Sequence, residues 1–555
     1  MTKMGAAMFK NHPKGLPVLF FTEMWERFGF YLLLGIFVLY MTDTAKGGLG
    51  FSTVKAMDIY GTYIALVYLS PFLGGLLADR LLGYRLSITI GGVLMGLGYL
   101  GLAIPGMTTF WVSLFLIIFG NGFFKPNIST LVGNLYNREP YRALKDSGYN
   151  IFYMGINIGA FICNFAAAYL RNNYGWGYAF AAAGIGMFVG LAIFWSGTRH
   201  VQEADVRKPT QREDMPLRWI LLVVFLPAAV FGAIGWFIPG NLFGSDSNDA
   251  FLTASLPIVV YFISLGVRAS RKDRAPIAAL LSIFGVVIIF WAIFHQNGSA
   301  LTLWARDYTD RSMPKAIEPI AQQADLVQKI DTSRRMVPQL DEFNRPVTDE
   351  QGNAVTGTGV DLYFRNLPKE QWPADGESMN LISTELFLSI NPFFIVIMTP
   401  LMLMFFAFLR RRDKEPSTPG KIAIGLLITS LSALIMIGAT LVTHNGAAKA
   451  SPWWLVGTYL AITLGEICLS PMGLSIVSKL SPPRLTSLMM GGWFLAMSIG
   501  NKLSGALASL WDQYNHKAYF FTVNMIGCLA AAVLILALLR WLNRVISEHS
   551  KVQQG

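Results

Sequence analysis

Glu23, Glu26 and Arg27 stand within little more than one helical turn of the segment LPVLFFTEMWERFGFYLLLGIFVLYM, which begins at Leu16 and is otherwise almost wholly apolar. With Phe30, Tyr31 and Leu34 they follow i, i+3, i+4, i+7, i+8, i+11 spacing, so they share one face of an α-helix. A run of this length crosses the ~30 Å of a bilayer's hydrocarbon. An ionisable side chain there costs ~2.5–3.5 kcal/mol on insertion scales and asks for a reason. Two carboxylates and a guanidinium so close together form a network that can exist only against a polar interior. Protonation of either carboxylate would release the cation paired with it. A static ion pair near the membrane surface is the plainer alternative.

Further charges at depth point the same way. Lys125 lies in FGNGFFKPNIST, with Gly122 before it and Pro126 after it. Missing side chains and a Pro-broken backbone ladder suit a close helix contact or a cavity wall. Its ammonium needs a carboxylate from another helix: Glu466 of LGEICLSPMG is the first candidate, and Glu23 or Glu26 the alternative. Asn157, His295 with Gln296, Asn391 and Asn501 add polar groups inside apolar runs. Singly, such residues are more often interhelical glue; together, from at least six helices, they predict the lining of a central polar cavity. Lys502 is expected to snorkel toward the outer interface unless it has a role of its own. Asp79, Arg80 and Arg85, in GLLADRLLGYR, stand where they can clamp one helix to another, a gating rather than a binding role. Arg410, Arg411 and Arg412 read as topological charge.

The elements that must position these residues are membrane spans. Of 555 residues 53% are apolar and 14% charged, and the mean hydropathy is +0.47. A water-soluble enzyme needs more charge to cover its surface. Fourteen apolar runs are long enough to cross: roughly 16–42, 53–78, 84–105, 109–135, 145–171, 175–197, 217–240, 250–269, 275–305, 382–409, 420–443, 452–479, 485–511 and 517–543. With the N-terminus inside, the inner segments hold about 27 Lys and Arg and the short outer loops about 5. The net charge of +11 is therefore mainly topology, and both termini are expected in the cytoplasm. The basic N-terminus has no cleavable apolar core of its own, so the first run is a retained helix. Residues 306–381 form a long polar outer loop with nine Lys or Arg, which translocates regardless of charge. It is either a partly ordered surface loop or a cap that recruits a partner or substrate, and Leu362-Tyr363-Phe364 with Trp372 can anchor a small folded module.

Cys163, Cys468 and Cys528 lie in apolar runs with no CxxC or CxxH spacing, which makes disulfide and zinc readings weak and leaves no metal site expected. HExxH, GxSxG and Walker A motifs are missing, so the chain does not read as an enzyme. Without a nucleotide site, uphill movement of a solute must draw on an ion gradient.

Four segments together are similar to the proton-dependent oligopeptide transporter (POT, or PTR) family of the major facilitator superfamily. They are Glu23–Tyr31, which looks like ExxERFxYY; FGNGFFKPNIST (119–130); FYMGINIGAFI (152–162); and GEICLSPMGLSIVSKLSP (465–482), running on to MMGGWFLAMSIGNKLSG (489–505). The resemblance covers the chain apart from 306–381. It implies an all-α polytopic membrane protein of major facilitator fold: a six-helix bundle in 1–200, a linker with two extra helices in 201–272, and a second six-helix bundle in 273–555 that contains the periplasmic loop 306–381. It implies import of di- and tripeptides with protons by alternating access across the inner membrane, with no cofactor, no nucleic-acid partner and a functional monomer. Arg27 and Lys125 would hold the peptide carboxylate, and Glu466, Asn157 and Asn391 its ammonium group. Tyr31, Tyr68 and Trp493 would line side-chain pockets or fix the backbone, while Glu23 and Glu26, paired with Arg27, would couple protons.

The chain departs from that pattern in three places. Leu34 stands where the family often has Arg, Phe30 replaces the first tyrosine of the pair, and His295 replaces the usual acidic residue before Gln296. Histidine can still carry a proton, but protonation then creates a cation instead of removing an anion. His295 is thus either a proton carrier or a neutral hydrogen-bonding spacer. Two other readings remain at this stage: a family member carrying another small solute (an amino acid, a peptidomimetic or an anion), and a non-transporting membrane receptor.

Overall fold

The computed structural model describes residues 9–137, 139–206, 216–342, 345–482 and 486–554. Its long helices are α1 (Gly15–Thr42), α2 (Thr53–Leu77), α3 (Tyr84–Leu102), α4 (Met107–Leu135), α5 (Lys145–Asn173), α6 (Trp176–Gly197), α7 (Leu226–Trp236), α8 (Asp246–Arg268), α9 (Arg271–Phe294), α10 (Ile390–Arg410), α11 (Thr418–Val442), α12 (Pro452–Leu480), α13 (Thr486–Ser509) and α14 (Lys517–Gln554). Among the described residues twelve helical stretches are long and apolar enough to cross a membrane; α7 is shorter, and α13 has the length, at 24 residues. Serines at the entries of α2, α8, α9, α11 and α12 accept a first-turn N–H, and prolines stand in the first turn of α11 and α12, where no N–H is missed.

Two expected spans are broken. Residues 275–305 are not one helix: α9 ends at Phe294, a 3-10 turn spans His295–Gly298, and a short helix, Ala300–Asp307, follows. Gly298 closes this turn against Tyr60 of α2, whose hydroxyl oxygen lies 1.9 Å from where a Cβ on Gly298 would sit. The run at 217–240 also changes character, from an α turn at Leu217–Ile220 through a π turn at Leu221–Phe225 to α7, where Pro227 starts a new helix.

α1 packs on α5 and α6, α3 on α4 and α6, and α2 on α4; α9 packs on α13 and α14, α11 on α12 and α14, and α10 on α12. The two groups meet along α2–α13 and α5–α10, while α7 and α8 lie together with α8 against α2, α9 and α13. By the alternation of the long helices, the start of α1 and the end of α14 lie on one face, the terminal face, and the described residues of 306–381 lie on the other, the cap face.

The loop is a folded cap. Strands β1 (Val327–Ile330) and β4 (Met379–Ile382) pair antiparallel, as do β2 (Arg335–Pro338) and β3 (Thr356–Gly359). Its small core is Ile330, Tyr363, Phe364 and Leu381, with Trp372 against it, so the aromatic residues of the sequence do anchor a module. The cap holds both groups of helices. Ser52 N donates to Gly352 O (3.1 Å) and Ala354 N to Gly50 O (3.0 Å) beside the α1–α2 turn; Asp310 N donates to Ala450 O (2.7 Å) and Asn366 Nδ2 to Gly446 O (3.0 Å) beside the α11–α12 turn.

Lys449, in the α11–α12 turn, donates to Asp307 O (2.9 Å) and lies 3.9 Å over the Tyr363 ring. Burial, with Arg311 and Arg365 nearby, pushes its ammonium down to about 7. The unfolded chain keeps that proton up to ~10.4, so stability rises as pH climbs from 7 toward 10, and the full penalty applies below 7. Lys449→Met is therefore expected to raise the melting temperature of the detergent-solubilised protein at about pH 6 and to lose that advantage near pH 9.5. Equal shifts at both pH values would mean that the amine stays charged throughout.

A charged cleft between the two helix groups

Glu23 and Glu26 are fully buried and Arg27 is 5% exposed. Arg27 Nε and Nη2 donate to the two carboxylate oxygens of Glu26, and Nε lies 3.7 Å from Glu23. Lys125 Nζ donates to Glu23. The carboxylate expected first for Lys125, Glu466, is therefore not its partner in this state: it stands on the facing helix group, while Glu23 on the neighbouring α1 is in reach. Two anions and two cations form a closed quartet, neutral as a whole, with only Lys125 (30% exposed in its side chain) reaching solvent. Asn121 of α4, a residue the sequence reading passed over inside FGNGFFKPNIST, accepts from Arg27 (3.4 Å) and donates to Val67 O of α2 (2.9 Å). Arg27 also sits 4.4 Å over Phe30 and 5.9 Å from the Tyr31 centroid. Phe30 thus trades a hydroxyl contact for a cation–π face.

Glu466, half-buried on α12, accepts from Asn391 Nδ2 at 3.2 Å, and the same amide donates to Thr463 Oγ1 at 2.9 Å. Among the described residues no cation pairs with Glu466. Between the poles stand Tyr31 and Tyr68, each within electrostatic reach of both Arg27 and Glu466. Tyr153, one turn before Asn157 on α5, also faces Glu466 and is 46% exposed. Nothing in the local pattern distinguished it from a lipid-facing aromatic residue. Asn157 returns its amide to Tyr153 O (2.9 Å), which fixes its side chain on that wall.

The other candidates fall elsewhere. Trp493 is 2% exposed, packed against Gly473 of α12 and edge-on to Phe284 of α9 (6.2 Å), so in this conformation it supports the wall from behind. Asp79 accepts from Tyr84 Oη (2.7 Å), and Arg85 Nε lies 2.9 Å from Asp205, which also accepts from Tyr84 N (2.8 Å). These contacts staple α3 to the segment after α6, within one helix group. Gln296 donates to Ala292 O and to Ser504 O, which ties the turn after α9 to α13. Lys502 does not snorkel: it is 1% exposed and pairs with Asp58 at 2.8 Å. The carboxylate and hydroxyls that meet it come from other helices, which the sequence of α13 does not reveal.

His295 lies at the break after α9, 8% exposed, among Tyr68 (5.8 Å), Trp291 (5.6 Å) and Phe294 (5.2 Å). Its Nε2 has no hydrogen-bond partner and no carboxylate pairs with it among the described residues. His295→Gln is therefore expected to leave the pH profile of uptake in place and to change its maximum by no more than about threefold, the scale of one neutral hydrogen bond. A displaced profile, read across His295→Gln and His295→Glu, would make it a proton carrier.

On the cap face polar contacts join the two helix groups across the cleft. On the cap side Arg171 of α5 forms a two-pronged pair with Glu385 (2.8 and 3.0 Å), Asn172 meets Ser383 (2.7 Å), and Asn164 meets Ser389 (3.0 Å). On the terminal side no described hydrogen bond or ion pair joins α4 or α5 to α10 or α12.

The profile of the POT family matches residues 85–333 and 376–524. The chain belongs to the POT family. A peptide transporter of Yersinia enterocolitica, YePEPT, is 31% identical over 558 residues, covering 97% of this chain and 96% of that one. A di-/tripeptide transporter of Lactococcus lactis is 30% identical over 540 residues, covering 95% of each. Among solved structures, a mutant peptide transporter POT in complex with alafosfalin matches with a TM-score of 0.73 at 28% identity, covering 97% of this chain and 96% of that chain. A POT family transporter in complex with a thioalcohol-conjugated peptide matches with a TM-score of 0.75 at 25% identity, covering 96% and 98%. The POT fold of paired helix bundles is thus the fold of this chain, and the profile leaves 334–375, inside the cap, unmatched.

Proposed function

We propose that this POT family member imports di- and tripeptides together with protons by alternating access, and that the structure described is its inward-open state. The carrying observation is the Glu466 carboxylate, which meets an amide but no cation among the described residues, facing a neutral quartet across two tyrosines. A free peptide is a zwitterion whose ammonium group suits Glu466 with Asn391 and Asn157, and whose carboxylate suits Arg27 and Lys125. Those cations are already matched by Glu26 and Glu23, so a carboxylate enters cheaply only when a glutamate takes a proton. That charge balance is the coupling. The named relatives and the ligands of the solved structures support peptides over a simple anion.

The terminal face is then the cytoplasmic one, the cap is periplasmic, and the membrane is the bacterial inner membrane. Residues 1–200 and 273–555 are the two moving bundles, 201–272 the linker with its two helices, and the working unit is a monomer that needs no cofactor beyond the proton gradient. Uptake by purified protein in liposomes tests this, with labelled dipeptide competed against free amino acids under imposed pH and voltage gradients. Accumulation that survives collapse of both gradients would remove the coupling, and equal competition by amino acids would remove the peptide assignment.

A further inference from the structure

An ion pair between the bundles, outside the cleft, joins α2 to α13. Lys502 Nζ donates to Asp58 Oδ1 (2.8 Å), Thr62 Oγ1 (2.6 Å) and Ser247 Oγ (2.7 Å), which uses all three of its N–H groups. Two of these acceptors are on α2, and the third is on α8, outside both bundles. Asp58 Oδ1 in turn accepts from Ser247 Oγ (2.5 Å) and Ser245 Oγ (3.0 Å), and Ser245 Oγ also caps α8 by accepting from Asn248 N (3.2 Å). The contact continues inward. Gly61 and Gly505 touch so closely that a Cβ on Gly61 would meet Gly505 Cα at 2.6 Å, and Ser498 Oγ donates to Ala65 O (2.6 Å). Glycine at both places lets the backbones close beside the pair, which leaves the Lys502 side chain 1% and the Asp58 side chain 22% exposed.

Between α1 and α9, by contrast, Leu34 is apolar and His295 has no charged partner, so no described ion pair crosses there. We infer that Asp58 and Lys502 form the latch holding the cap face shut, and that the α7–α8 hairpin is the third part of that latch through Ser245 and Ser247. Both charges lie in the cap-face half of their helices. When the bundles part on that side they separate, and each must find water. While the cap face is closed, removing either charge strands the other in a site with 1% exposure on the lysine side, which disfavours the closed state. The hydroxyls of α8 make the hairpin a participant in opening rather than a passive addition.

This rests on the alternating-access reading, and the test separates the two. Spin labels at the exposed Ala45 and Ala447 report the distance between the bundles at the cap face, on the full chain in nanodiscs, with the buried native cysteines left in place. Asp58→Asn and Lys502→Met are each expected to raise the open-to-closed ratio about tenfold or more. The exchanged pair Asp58→Lys with Lys502→Asp is expected to return most of it. Ser245→Ala with Ser247→Ala is expected to shift the ratio in the same direction by about threefold, the scale of hydrogen bonds to a charge. Glu385→Gln, which breaks the other cap-side ion pair, is the reference. If Glu385→Gln opens the cap face while folded Asp58→Asn and Lys502→Met do not, the latch is wrong. If no variant changes the distance, alternating access itself fails. An unchanged ratio in the serine variant would remove the hairpin from the latch.

Discussion

Glu26→Gln is expected to leave exchange of peptide across the membrane running while proton-driven accumulation disappears. The amide keeps the shape of the side chain that Arg27 grips with two N–H groups, but it removes one negative charge from a quartet that is neutral in the wild type. Arg27 is then free for a peptide carboxylate at every pH, as though the glutamate were permanently protonated. Counterflow of labelled peptide should therefore stay within about threefold of wild type, the scale of one altered hydrogen bond. Accumulation should fall from about 50-fold per 100 mV for one coupled charge to none, since that charge supplies ~2.3 kcal/mol per 100 mV. Retained accumulation in liposomes under an imposed potential would move the coupling carboxylate elsewhere, with Glu23, the partner of Lys125, as the next residue to test. The melting temperature serves as control, because Arg27 remains only 3.7 Å from Glu23 and is not left alone.

The second large effect is on recognition of the peptide amino terminus. Glu466 has an amide partner, Asn391, but no cation among the described residues, so the ligand's ammonium is its natural counter-charge. Glu466→Gln replaces a charge-assisted hydrogen bond by a neutral one, a loss of ~1.5–3 kcal/mol or roughly 10- to 150-fold in affinity. The loss should apply to dipeptides with a free amino group. The same dipeptides N-acetylated should bind wild type and variant alike, which removes any general distortion from the comparison. Competition uptake with the two ligand series measures this. A parallel loss for both series, or none for either, would take Glu466 out of ammonium binding.

What was legible in the sequence follows from what a membrane demands. Hydrocarbon forces spans of a set length and makes each intramembrane charge conspicuous, so the helices and the residues Glu23, Glu26, Arg27, Lys125 and Glu466 could be read along the chain. Local spacing alone placed Glu23, Glu26 and Arg27 on one helix face. Partners that come from different helices were not legible, because sequence distance says nothing about which faces meet. Lys125 chose Glu23 rather than Glu466, and Lys502 turned inward to Asp58 and Ser247 instead of outward to the interface. The break at His295 is packed through Gly298 against Tyr60 of another helix. The 306–381 segment showed its aromatic anchors but not its strands, whose four-residue pairings join positions some 20 to 50 residues apart. The chain by itself determined that a few charges sit in lipid and must be satisfied. Only the tertiary structure decided by whom, because charge pairing in a membrane depends on the few ångströms between facing helices, a distance written in no single one of them.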